Sequence, residues 1–241
     1  MNPLATGAAR GKTYRLAIVM PVLNESTRID RALGALQTLR DRGARLVVVD
    51  GGSSDDTALR ARRWTDEVVA AAGGRAAQMN AGAACVAESV DVLLFLHADT
   101  ELPKDADRLV EAARARGARW GRFDVRIEGR SPILGLVACL MNLRSRLTGI
   151  CTGDQAIFVE HALFVQLGGY AEQALMEDLE FSHRARKFAW PTALTPRATT
   201  SGRRWEKHGI WRTILLMWSL RWRYWRGEDP STLARQYREV R

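Results

Sequence analysis

Three short apolar runs, each closing on polar residues, constrain the fold of this chain more than any other feature. Leu16–Leu23, Leu46–Asp50 and Val92–His97 are rich in Val, Ile and Leu and apolar on both faces, the pattern of central strands in a parallel sheet. Between them lie segments of helical spacing, at about 26–42, 56–64 and 74–88; in the first, Ile29, Leu33, Leu36 and Leu39 share one stripe. This alternation predicts an open, mostly parallel α/β sheet flanked by helices and joined by right-handed crossovers. Ligands of such sheets sit beyond the carboxyl ends of the strands. There the sequence places Asn24 and Glu25, then Asp50 to Ser53, then His97 to Asp99.

The second half is less regular. Trp120–Glu128 alternates like a strand, Ile133–Leu147 has helical spacing, and Ala156–Val159 suits a short strand. A helix is expected from about Met176, because Glu177, Asp178 and Glu180 complement a positive helix N-terminus. Pro191 and Pro196 read as breaks, and two helices, His208–Trp225 and Pro230–Val240, close the chain. The expected organisation is a flexible tail over 1–14, one domain over 15–205, and a helical appendage over 206–241.

Of the 241 residues, 46% are hydrophobic, enough for a real core, which excludes intrinsic disorder as the main state. The three cysteines lack metal-knuckle spacing, which favours a reducing cytoplasm. No stretch reaches the ~18–20 apolar residues of a membrane span. The net charge of +9 points to an anionic partner, but it is unevenly spread. Residues 201–241 hold ten Lys and Arg against four acids, so six of the nine charges lie there, with five of the eight tryptophans. Trp211, Leu215, Trp218, Trp222 and Trp225 form one helical stripe, with Arg212, Arg223 and Arg226 on one side and Arg221 on the other. Such a stripe packs on the domain or a second subunit, or lies in a bilayer interface with its arginines on anionic headgroups. Nucleic acid is not the expected partner.

Several groups carry recognisable chemistry. Gly51 and Gly52 permit a tight turn after Asp50, whose carboxylate can accept from a uracil imide or a ribose hydroxyl. His97 and Asp99, two apart on extended backbone, point the same way and suit a divalent metal. Arg75, with Gln78 and Asn80 near a helix start, can neutralise a diphosphate. A partly buried carboxylate at the 177–180 helix start suits a general base. Gly7–Thr13 resembles a phosphate loop, but its glycines are too close together and it precedes the first strand, so an ATPase is rejected.

In order, PVLNE, VVVDGGSSDDT, GRAAQMNAGA, LFLHADT, GDQAIFV, LGGY, MEDLEFSHR and RRW make the segment Leu16–Trp205 resemble a family 2 glycosyltransferase. Within that family it is most similar to small, stand-alone bacterial enzymes whose metal motif reads HAD. The resemblance implies a GT-A fold with a Rossmann-like nucleotide-binding half, a nucleotide-sugar donor, Mn²⁺ or Mg²⁺, and inversion at the anomeric carbon. Carried over, Pro21, Asn24, Glu25, Asp50 and Gly52 line the nucleoside pocket, Arg75 and Asn80 sit by the diphosphate, and His97 and Ala98 complete the donor site. Asp99 holds the metal, with His97 and His183 as further candidates. Gly153, Asp154, Gln155, Arg204 and Trp205 form the sugar or acceptor pocket. Asp178 is the base, with Glu177 beside it.

His97 stands where the family motif has an acidic residue, and imidazole favours Mn²⁺ over Mg²⁺. Arg203–Trp205 lacks the upstream Gln of the processive signature, so transfer of a single sugar is expected. A sugar nucleotidyltransferase is the enzyme alternative, but it would want a glycine-rich basic loop where Asn24–Thr27 stands. A basic membrane-surface or nucleic-acid-binding module is the non-enzyme alternative.

Overall fold

Leu16, Ile18, Met20 and Val22 turn to one side of their strand and Ala17 and Val19 to the other, and both sets are buried. That double burial is what the apolar runs predicted, and it sets the layers of the molecule. The structure is a computed structural model that describes residues 15–65, 67–87 and 89–239, with backbone alone at Arg204, Arg238 and Glu239. The expected tail over 1–14 lies outside the described residues.

The first elements are β1 (Leu16–Val22), α1 (Ile29–Gly34), α2 (Gln37–Asp41), β2 (Arg45–Asp50), α3 (Thr57–Ala61), β3 (Glu67–Ala70), α4 (Arg75–Cys85) and β4 (Val92–Phe95). Next come β5 (Thr100–Glu101), α5 (Ala106–Ala115), β6 (Trp120–Glu128) and α6 (Ile133–Thr148). A 3₁₀ turn (Gly153–Gln155) then leads into β7 (Phe158–Glu160), α7 (His161–Gln166), α8 (Glu177–Ala185) and β8 (Thr192–Ser201). The chain ends in α9 (Arg203–His208), α10 (Ile210–Trp225) and α11 (Pro230–Glu239).

One sheet of eight strands runs β3-β2-β1-β4-β7-β6-β8-β5. The β3-β2-β1-β4 part is parallel; β7 pairs antiparallel with both β4 and β6, and β6 pairs parallel with β8. One core layer lies under α1, α2 and α5, the other under α4, α7 and α8. Strand order reverses between β1 and β4, which opens a crevice at their carboxyl ends.

Three local departures have physical reasons. The helix expected over 26–42 is two short helices, parted just after Gly34, a weak helix former. The strand β3 was not expected: four half-covered residues at a sheet edge carry too little periodicity to read. Pro191 and Pro196 were read as breaks, yet Thr192–Ser201 is a strand. Phe123 pairs Leu194 and Asp124 pairs Arg197, so Pro196 sits in a bulge where its missing N–H is not needed.

The 206–241 segment is less separate than an appendage. Leu220 and Leu233 are buried with Met176, beside Leu175, Leu179, Leu216 and Met217, so α10 and α11 close over the start of α8. Trp205, Ile210 and Ile214 pack on Val125, Ile127 and Leu134.

Candidate active site

The loops after β1 and β2 are stitched together. The Asn24 N–H donates to Ser53 Oγ at 2.9 Å, Asn24 Oδ1 accepts from the Ser54 N–H at 2.8 Å, and the Glu25 N–H donates to Thr57 Oγ1 at 2.8 Å. Asp50 Oδ2 accepts from the Gly52 and Ser53 N–H groups, so this carboxylate holds its own turn closed at the strand tip. Gln78, buried on α4, donates to the Val22 and Val49 carbonyls at 2.8 and 2.9 Å and locks the helix onto both strand ends. Pro21 lies at the end of β1, opposite Val49 of β2. Asn80, expected by the diphosphate, has its amide engaged with the backbone of Tyr170, donating and accepting at 2.9 Å.

Antiparallel pairing of β7 with β4 sets Leu94 opposite Phe158. The residues before β7 therefore run alongside the residues after β4, and this brings Asp154 to His97. His97 Nδ1 and Asp154 Oδ1 are 3.6 Å apart. His97, Asp99 and Asp154 each offer a ligand atom within 4.8 Å of the others. One imidazole and two carboxylates suit Mn²⁺ or Mg²⁺. A Cβ on Gly153 would lie 2.3 Å from His97 Cε1, so only glycine lets the turn approach the imidazole. His183 stands apart from this trio, exposed on α8 with Nδ1 beside Arg186 Nη2 at 3.1 Å.

The same turn touches Asp178. Its Oδ2 accepts from the Gly153 N–H and its Oδ1 from the Leu179 N–H, both at 2.8 Å. Ser182, one turn along α8, accepts from the Cys151 N–H at 3.0 Å and donates to the Asp178 carbonyl at 2.7 Å. Gln155 is fully buried and closes a capping box with Thr152, so its side chain shapes the turn from within. Three non-glycine residues with positive φ flank the site: Asn24 (55°), Ala156 (49°) and Met176 (67°), the last directly before Glu177 and Asp178. Such backbone costs about 1–3 kcal/mol per residue and concentrates at functional sites.

Burial pushes the Asp178 carboxyl up, and the neighbouring Glu177 adds to that; the Gly153 N–H and Arg221 oppose it without winning. Glu177 is buried, with Oε1 3.6 Å from Arg75 Nη1. Burial works against the Arg75 cation, yet Glu177, Asp154, Asp178 and Asp99 together hold its pKa above the ordinary value. Arg75 thus sits at the centre of the acidic cluster.

Sequence reasoning gave no site role to two arginines. Arg221 on α10 lies near enough to Asp178 and Asp154 for their charges to act on it, and Arg144 on α6 near enough to Arg221 and Asp178. Helical spacing contained the signal. Arg221 follows Met217 by four and Arg144 follows Met141 by three, which puts both on inward faces. Trp205 packs in the small cluster over β6 and α6, and the side chain of Arg204 lies outside the described residues.

The sheet order and the crevice at the β1–β4 reversal are those of a GT-A fold, and solved glycosyltransferases share that fold. The mannosyltransferase PcManGT of Pyrobaculum calidifontis, solved with GDP-Man and Mn²⁺, superposes with a TM-score of 0.57 at 22% identity, over 78% of this chain and 57% of its own. S. aureus TarS 1-349 gives 0.61 at 16% identity, over 79% and 61%. Glucosyl-3-phosphoglycerate synthase of Mycobacterium tuberculosis, solved with Mg²⁺ and UDP, gives 0.57 at 19%, over 78% and 70%.

In sequence, residues 17–134 match the family model described as Glycosyl transferase family 2. The succinoglycan biosynthesis protein ExoA of Rhizobium meliloti (strain 1021) is 31% identical over 209 residues, 76% of this chain. The chain spans 61% of that relative's length. Residues 17–134 are thus a glycosyl transferase family 2 region.

Proposed function

We propose that this chain is an inverting glycosyltransferase that moves one sugar from a nucleotide-diphosphate sugar, a UDP-sugar, to an acceptor hydroxyl. The observation that carries the reading is the turn at Gly153–Gln155. Its Asp154 completes a metal-competent trio with His97 and Asp99, while its Gly153 N–H orients Asp178. One short segment thereby sets the leaving-group side and the base side of a displacement in fixed relation.

The residues divide the work. Pro21, Asn24, Glu25, Asp50 and Gly52, in the stitched loops after β1 and β2, receive the nucleoside. Arg75 brings a cation towards the diphosphate. His97, Asp99 and Asp154 would hold a divalent cation, which would supply charge neutralisation for the departing nucleoside diphosphate. Asp178 takes the proton of the acceptor hydroxyl at its carboxylate. Its raised pKa, the work of burial and Glu177, makes it a stronger base than an exposed aspartate. Glucosyl-3-phosphoglycerate synthase, solved with Mn²⁺, UDP and its product, supports a donor of this class.

The test is a panel of nucleotide-sugars with Mn²⁺, read by donor hydrolysis and thermal shift. One donor should raise the melting temperature only when Mn²⁺ is present; a flat panel sinks the reading.

A membrane-surface role for α10 has an observation of its own. Trp211, Trp218, Trp222 and Trp225 are 67%, 64%, 56% and 82% exposed, so the stripe does not pack on this chain's core. Leu136, Leu140, Leu143 and Leu147 leave a second apolar stripe exposed on α6. No helix among the described residues is long and apolar enough to cross a membrane. Tryptophans beside Arg223 and Arg226 suit a bilayer interface carrying anionic headgroups.

A further inference from the structure

Asp124 organises the environment of Arg144. The fully buried Arg122 on β6 pairs with Asp124, Arg146 on α6 reaches the same carboxylate at 2.7 and 2.8 Å, and Asn142 bonds the backbone N–H and carbonyl of Val125 at 2.8 and 3.0 Å. These bonds clamp α6 to the sheet and fix its rotation. Arg146 is therefore neutralised, while Arg144, two residues earlier, is directed elsewhere.

Nε and Nη2 of Arg144 and Nε of Arg221 are buried without a hydrogen-bond partner. Neither guanidinium makes an ion pair within 4.0 Å among the described residues. Burial, and then the Arg221 cation, push Arg144 down to about 10. Burial likewise lowers Arg221, against the pull of Asp178 and Asp154. Two cations from two helices thus lie near enough for one to lower the other's pKa, with buried donors unfilled on both. An unmet buried donor is unfavourable, and more so when it is charged. This arrangement is unfavourable alone and becomes favourable when an oxyanion enters between the two planar forks.

The position of the pair selects the ligand. Arg75 spans Glu177, Asp154, Asp178 and Asp99, whereas Asp178, the proposed base, is the acid that acts most strongly on both Arg144 and Arg221. In an inverting displacement the acceptor approaches from the side of the base. We propose that Arg144 and Arg221 form an oxyanion subsite for the acceptor, which therefore carries a phosphate or carboxylate near its reacting hydroxyl. This rests on the glycosyl-transfer reading and deepens it by giving the acceptor a chemical class. No bond forms to either arginine; they hold and orient the acceptor.

The test uses the full chain saturated with UDP and Mn²⁺, titrated calorimetrically with inorganic phosphate. The wild type should bind phosphate, and Arg144→Gln and Arg221→Gln should each weaken that binding by about tenfold or more. Arg→Lys at either position should recover part of it, because charge returns without the fork. Affinity for UDP with Mn²⁺ should change by less than about twofold in every variant. Melting curves confirm folding, and if a Gln variant does not fold, the Lys variant at that position carries the comparison.

The proposal is overturned if the wild type binds no phosphate, if both Gln variants bind it unchanged, or if UDP affinity falls as far as phosphate affinity. The last result would assign the pair to the donor diphosphate. A parallel titration without nucleotide separates the two readings. Phosphate binding lost in the Gln variants, in a protein that binds no nucleotide, would sink the transfer reading and keep the oxyanion subsite. Displacement of phosphate by glycerol 3-phosphate points to a soluble acceptor. Displacement by phosphatidic acid in phosphatidylcholine vesicles points to a lipid one, and failure of both also overturns the proposal.

Discussion

Asn24, Asp50, His97 and Asp99 all lie at or just beyond the carboxyl ends of β1, β2 and β4, within 76 residues of sequence. Asp178, Arg144 and Arg221 come instead from α8, α6 and α10, which are far apart in the chain and meet only through packing. A parallel sheet collects its loops at one end automatically, so the first set needs only correct strand order. The second set needs a clamp, the Asn142–Val125 bonds, and a lid, Leu220 and Leu233 over Met176. The proposed nucleotide half is thus a property of topology, and the half with the proposed base a property of side-chain packing.

The strongest way to separate the halves is Asp178→Asn. Transfer should fall by about 10³-fold while donor binding stays within about twofold; full activity would remove Asp178 as base. The pH profile adds a second reading of the same group. A base works only when deprotonated, and burial with Glu177 favours the protonated form, so the acid limb of wild-type activity should lie above the usual carboxylate range. A limb within that range would show that Asp178 is not the titrating group.

Asp99→Ala should strike the other half. Mn²⁺-dependent stabilisation by UDP, about 2.7 kcal/mol at a hundredfold excess over Kd, should be largely lost. An unaltered metal titration would shift the weight onto His97 and Asp154. The smallest effect on the enzyme itself belongs to the exposed stripe. Trp218→Ser with Trp222→Ser should change folding stability by no more than about 0.5 kcal/mol each, yet lower co-sedimentation with anionic liposomes severalfold. Unchanged sedimentation would turn attention to a second protein subunit as the cover for the stripe.

The strands β1, β2, β4 and β6 and the helices α6, α8 and α10 were legible because each has a hydrophobic period that local sequence expresses. The short edge strand β3 and the bulged β8 were not, since their pairing is supplied by neighbours and Pro196 misleads without its partner strand. Among site residues, His97 and Asp99 stood out as polar groups at a buried strand's end. Asp154 was placed with the sugar pocket, and only the β4–β7 pairing shows it beside His97. Gln155, expected in that pocket too, is a buried capping residue because Thr152 precedes it by three.

The sequence alone determined the α/β layering, the strand ends that carry the polar groups and the uneven placement of the charge, because each is encoded in adjacent residues. Only the tertiary structure decided that part of this charge is buried beside acidic residues. Arg221 turns inward towards Asp178 while the tryptophans of the same helix turn outward. The direction of a side chain on a helix is fixed by what the helix packs against, and that surface includes Met176 and Leu179 at the start of α8, more than forty positions away.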